Sequence, residues 1–146
     1  METTEVSGAL ELTERVGLGG AHEHIQTALT LFGKRPDPDY RNSIKESISA
    51  VKSIAGVLGK EDSKGLAGAL TALCKRTPIH GALKAAFVQL YGYTSNEDGV
   101  RHAILDEPQI GFDEAKFMLV SCSAFVNYLI SKAQSGGLMD NPSKSR

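Results

Sequence analysis

The sequence has almost no net charge, and this absence limits the partners it can attract. Sixteen lysines and arginines are balanced by seventeen aspartates and glutamates among 146 residues, which gives a formal net charge of -1. A chain with this balance lacks the broad basic field that draws nucleic acids and anionic membranes from a distance. Any contact with RNA must therefore come from a local group of residues.

Cysteines are few, and neither is placed for a disulfide framework or a metal site. Cys74 and Cys122 lie in apolar helical patterns and do not form a C-x-x-C pair, which indicates buried free thiols. The sequence also lacks a glycine-rich phosphate loop, a nucleophile elbow, a zinc-ligand set and a ladder of base-stacking aromatic residues. We therefore predict that the protein uses neither a metal nor a cofactor.

No apolar run is long enough to predict a membrane-spanning helix. The longest run extends over residues 117–130, contains two serines and an asparagine, and is shorter than the roughly 20 residues that a bilayer needs. The first five residues are acidic and polar, unlike the basic start and apolar middle of a signal peptide. These features predict a cytoplasmic protein that does not enter a membrane.

Apolar residues recur at three- and four-residue steps along most of the chain, which is the pattern of amphipathic helices. Clean two-residue alternation is absent, so we predict an all-α fold of about five to six helices. The length fits one domain with its own core. We predict an N-terminal helix or extension at 1–20, a helical bundle at 21–134 and a disordered tail at 135–146. The individual helices are expected near residues 6–16, 21–32, 38–58, 66–74, 79–90 and 113–132.

The last predicted helix, which Asp113 is expected to cap, is apolar on most of its circumference. Such a helix must be surrounded, so it is either the central core element or also the seam of a dimer. Ser123 and Asn127, four residues apart, form a thin polar strip along it.

The polar connection before this helix is where chemistry is most expected. It contains Ser95, Asn96 and Asp98, followed by the adjacent pair Arg101 and His102. In the functional interpretation the guanidinium holds a phosphate and the imidazole moves a proton. The alternative is that Arg101 pairs with a nearby carboxylate while His102 packs the loop.

Glu46 is a further candidate from the long third helix. It shares a helix face with Ser43 and Ser47, whose small side chains permit close helix approach. If Glu46 faces inward it needs a partner, because an unpaired buried carboxylate is costly, and Arg101 or His102 would suit. The alternative interpretation is a solvated helix face.

Three stretches, taken in order, resemble bacterial abortive-infection-type helical domains, which look like the HEPN superfamily of small helical bundles. The stretches are residues 39–51, residues 90–103 with Leu-Tyr-Gly-Tyr-Thr-Ser leading to Gly-Val-Arg-His-Ala, and residues 114–129. The resemblance covers about residues 21–132. It implies an up-and-down bundle that forms a homodimer through the 113–132 helix and serves in phage defence.

The resemblance also implies a function, because many such domains are metal-independent endoribonucleases. Arg101 and His102 would be the catalytic residues, while Glu46, Ser95, Asn96 and Asp98 would contact RNA or a nucleotide. In the nucleases the arginine and the histidine are separated by four to six residues, whereas here they are contiguous. A non-catalytic dimerisation or interaction module of a larger defence complex is therefore the alternative.

Overall fold

A computed structural model describes residues 2–60, 65–94 and 110–139 of the chain. Every regular element in these ranges is a helix, which confirms the predicted all-α bundle of five to six helices. None of the described helices is both long and apolar enough to cross a membrane. The helices are α1 (Glu2–Arg15), α2 (Gly19–Phe32), α3 (Tyr40–Gly59), α4 (Gly65–Cys74), α5 (Gly81–Thr94) and α6 (Phe112–Ser135).

Helix α3 is the centre of the bundle and packs against α2, α4, α5 and α6. Its apolar stripe, with Ile44, Val51 and Ile54, has no solvent exposure at all. Asp39 caps the helix, since its carboxylate accepts hydrogen bonds from the side-chain amide of Asn42 at 2.8 Å and from its backbone N–H at 3.2 Å. The hydrogen bond from the Asn42 side chain lowers the pKa of Asp39 below its ordinary value.

Helices α2 and α3 run antiparallel, because positions that ascend along α2 meet positions that descend along α3. Gly20 approaches Ser53, while the Ser43 hydroxyl donates to the Ala28 carbonyl at 2.8 Å. Both contacts rely on small residues, which let the two backbones come close. This arrangement brings the middle of α2 over the first half of α3.

Helix α1 packs on α2 and α6, so the core of the bundle includes residues before position 21. Val6, Ala9 and Thr13 are buried in that contact. The His22 imidazole, through Nδ1, lies 2.9 Å from the Leu10 carbonyl and 3.1 Å from the Thr13 hydroxyl, which ties the two helices together.

Helix α6 is enclosed by its own chain on several sides, through contacts with α1, α2 and α3. The polar strip of Ser123 and Asn127 faces inward: the Asn127 amide donates to the backbone carbonyl of Glu5 at 3.2 Å and to its carboxylate at 3.0 Å. Ser123 is completely buried, and its hydroxyl has no partner among the described residues. After the helix, the Leu138 N–H donates to the Ala133 carbonyl at 2.8 Å.

Several helix boundaries differ from the sequence expectation by one to four residues, and two of them are instructive. Helix α6 begins one residue before Asp113, because the Gly111 N–H donates to the Glu114 carboxylate at 3.0 Å and Gly111 takes the capping position. Helix α5 continues through Gly92 to Thr94, since a glycine within a helix is tolerated at moderate cost.

Candidate functional site

The predicted site residues are divided between the described and undescribed parts of the chain. Arg101 and His102 lie outside the described residues, as do Ser95, Asn96 and Asp98. Glu46 is the predicted site residue that the structure describes. The surroundings of Glu46 are therefore the part of the predicted site whose geometry can be described.

Glu46 forms a pair with His24 across the α2–α3 contact. Its Oε1 atom lies 2.7 Å from Nδ1 of the imidazole, and the two side chains are about one third exposed, at 32% and 39%. A hydrogen bond of this kind fixes the ring and directs the Nδ1 proton to the carboxylate. No sequence pattern indicates this pair, because its members are 22 residues apart and on different helices.

A cleft opens beside this pair, between α2, α3 and α4. Its volume is about 420 Å³, which falls within the range of small-molecule sites. Hydroxyl, ammonium and imidazole groups line it together with two glycines and two apolar residues, Val57 and Ala69. The lining includes His24, Ser49, Lys52, Ser53, Gly56 and Gly65.

A second surface, which we call the α5–α6 groove, lies between α5 and the first turns of α6. It encloses about 600 Å³ and is bordered by Ala86, Leu90, Phe117 and Met118. The Phe117 ring is 59% exposed at its edge. Further along, Phe87 and Phe125 stack with their ring centroids 3.3 Å apart and hold the two helices together.

A third recess, smaller and apolar, lies where α1, α2 and α6 meet. Its volume is about 210 Å³. Phe32 and Phe112 form part of its wall with ring centroids 5.2 Å apart, and the Lys116 ammonium lies 5.8 Å from the Phe112 ring centroid. The arrangement is a cation held against an aromatic face.

The titratable groups of the described ranges do not assemble a metal centre. No set of three or more histidines, cysteines, aspartates or glutamates comes together there in a way that could hold an ion. Burial raises the pKa of the Cys122 thiol to about 12, so this cysteine stays protonated and chemically inert. Cys74 is half-buried and free.

Comparison with known proteins returned no relative, since no family model, no curated protein and no solved structure matches the chain. The similarity to HEPN-like domains therefore stays a prediction from the sequence.

Proposed function

We propose that the protein is a HEPN-like helical domain that acts as a self-associating interaction module, joining two copies through the α5–α6 groove. The observation that carries this proposal is the exposure of Phe117 beside an open apolar groove. Large apolar side chains that remain exposed next to a recess are typical of interaction sites. The resemblance suggests a setting in the cytoplasm, within a phage-defence system.

A second copy of the same chain fits this surface because the surface holds both a protrusion and a recess. A two-fold interface uses the same patch on both partners, so the patch must be complementary to itself. Phe117 is 59% exposed, and the space bordered by Leu90 and Met118 lies directly beside it. Each copy can then insert its ring into the groove of the other.

The proposed interface is narrower than the whole 113–132 helix that the sequence predicted as a seam. Leu119, Val126 and Ile130 are already buried in the core of their own chain. The side of α6 next to α5 remains accessible to a partner, since Phe117 and Asp113 are exposed there.

Substitution of Phe117 by aspartate tests the proposal. The wild-type protein should form a dimer in sedimentation velocity and light scattering, while Phe117→Asp should weaken the dimer by about tenfold or more, because it removes a central aromatic contact. Val57→Asp is a matched control, since Val57 is 55% exposed on α3 and lies away from the groove. A wild-type monomer at every concentration, or equal weakening by both substitutions, would overturn the proposal.

A second candidate function is RNA or nucleotide binding with endoribonuclease activity at Arg101 and His102. The supporting observation is where the connection is attached: Leu90, near the end of α5, and Asp113, near the start of α6, both border the groove. The chain that carries Arg101 and His102 therefore leaves and rejoins the bundle beside the proposed dimer seam. In this proposal Ser95, Asn96 and Asp98 would contact the ligand from the same connection.

The enzymatic candidate predicts that His102→Ala abolishes cleavage of single-stranded RNA while the melting temperature stays unchanged. His80→Ala serves as a control, because His80 is an exposed histidine at the start of α5. Binding of an oligonucleotide should weaken as salt rises, since phosphate contacts release counterions. Cleavage that persists in His102→Ala would remove this candidate and leave the interaction module.

A further inference from the structure

We infer that the cleft between α2, α3 and α4 binds a small phosphate ester, with Lys52 as the charged anchor and Ser49 and Ser53 as hydrogen-bond donors. The inference concerns a surface separate from the α5–α6 groove, so it does not depend on how the protein self-associates. It follows from the side chains that line the cleft and from what those side chains do not contact.

The two serine hydroxyls are available to a ligand. A hydroxyl within a helix ordinarily bonds to the carbonyl four residues earlier, as Ser47 does to Ser43 and Thr71 does to Ala67, each at 2.9 Å. Within the described ranges, no hydrogen bond engages the hydroxyl of Ser49 or Ser53, and both residues line the cleft. Two donors separated by one helical turn therefore border the same space.

Lys52 supplies the positive charge. It lies between the two serines in sequence, is exposed, and lines the cleft without a carboxylate partner among the described residues. An ammonium group with three donors is a suitable point charge for a phosphate.

The imidazole of His24 completes the polar wall. Because Glu46 binds Nδ1 at 2.7 Å, Nε2 is the ring nitrogen left without a hydrogen bond in the described part of the chain. The contact with Glu46 fixes the ring, so Nε2 is the nitrogen that the imidazole can offer to a ligand. Glu46 is then a positioning residue, because it acts on the ligand through His24.

The cleft is also large enough and open enough for a ligand beyond a bare ion. Its volume is about 420 Å³, and two of its lining residues, Gly56 and Gly65, carry no side chain. The ammonium and the two hydroxyls offer donors to a compact oxyanion, while Val57 and Ala69 form an apolar part of the wall. The remaining volume accommodates the group that the phosphate is attached to.

Nuclear magnetic resonance titration of the full chain tests this inference. The probes are inorganic phosphate, adenosine 5′-monophosphate and, as the uncharged comparison, adenosine. Both phosphates should shift the backbone amides of residues 20–24, 49–57 and 65–69, with dissociation constants of about 1 mM or tighter. Adenosine should leave these signals unchanged. Shifts that appear equally with adenosine, or no shifts in the cleft with either phosphate, would overturn the inference.

Reversing the charge at position 52 tests whether Lys52 binds the phosphate. Lys52→Glu should weaken phosphate binding by at least about tenfold, as expected for loss of a charge-assisted hydrogen bond. Lys75→Glu makes the same charge change on an exposed lysine beyond the other end of α4, and it should retain binding. The double substitution of Ser49→Ala and Ser53→Ala should weaken binding by about tenfold. Equal losses in the two lysine variants would indicate a diffuse charge effect and contradict a built site.

The same titration on the Phe117→Asp protein separates this inference from the proposed function. Phosphate binding should be unchanged there, because Phe117 does not line the cleft. Loss of binding in that variant would show that the cleft depends on self-association and would overturn the inference as stated.

Discussion

Helices α3 and α5 both contain many apolar residues, but most of these side chains are buried in α3, whereas those described in α5 are partly exposed. The apolar residues of α3 follow one stripe, and the stripe is sealed against four neighbouring helices. The residues of α5 are on average more apolar, yet none of the side chains over residues 81–92 is fully buried. Burial therefore depends on the arrangement of apolar residues around a helix, and α5 keeps apolar surface that is not fully buried in the described part of the bundle.

Removing a large apolar side chain from each helix in turn should give the largest difference in stability between them. Ile54→Ala in α3 should lower the free energy of unfolding by about 3 kcal/mol, because it leaves a cavity in a site with no solvent exposure. Leu83→Ala in α5 should change it by less than about 0.5 kcal/mol, since Leu83 is 42% exposed. Urea denaturation measures both values, and similar losses would contradict the difference between the helices.

Replacing a glycine by alanine should lower the free energy of unfolding in α3 and raise it in α5, by smaller amounts than the loss of Ile54. A Cβ atom on Gly59 would lie 2.8 Å from the Ala69 carbonyl oxygen and 3.0 Å from the Leu73 nitrogen, so α3 and α4 can approach only with glycine there. Gly59→Ala should destabilise the protein by about 2 kcal/mol. Gly92→Ala in α5 meets open space and should stabilise it by about 0.5 to 1 kcal/mol. Thermal unfolding of both variants checks the signs.

The smallest expected change in stability comes from the loss of Asp39, which caps the start of α3. Asp39→Ala should cost about 1 kcal/mol, the usual value of a lost helix cap, while Asp37→Ala outside the helix should cost little. The folded pKa of Asp39 lies below its unfolded value of about 4. The stabilisation that Asp39 adds to the folded protein is therefore complete above the unfolded pKa and is lost as the pH falls through the folded pKa. The free energies of unfolding of wild type and Asp39→Ala should therefore converge as the pH falls below the folded pKa of Asp39.

Much of the fold was predictable because the helical periodicity is strong. The stripe through Ile44, Val51 and Ile54 locates α3 to within about two residues. The start of α6 was not predictable from side-chain type alone, because the capping residue is Gly111 and the group that binds its N–H comes from Glu114. Local patterns identify which segments are helical more reliably than where each one ends.

The candidate sites were less predictable, because they depend on contacts between distant residues. The sequence left open whether Glu46 faces inward with a partner or lies on a solvated face, and it did not indicate the pairing with His24 from the preceding helix. The exposure of Phe117 could not be inferred either, since α6 is apolar on most of its circumference and periodicity cannot say which part the bundle leaves uncovered. The roles predicted for Arg101 and His102 stay predictions.

The two thiols differ in burial, so the rates at which they are alkylated report how the bundle opens. Cys74 ends α4 and is half-buried, whereas Cys122 lies in the interior of α6 at 1% exposure. An alkylating reagent reaches the first after local fraying of α4, but reaches the second only when α6 separates from its neighbours. The ratio of the two labelling rates therefore distinguishes partial loosening at one edge from cooperative disassembly of the whole domain.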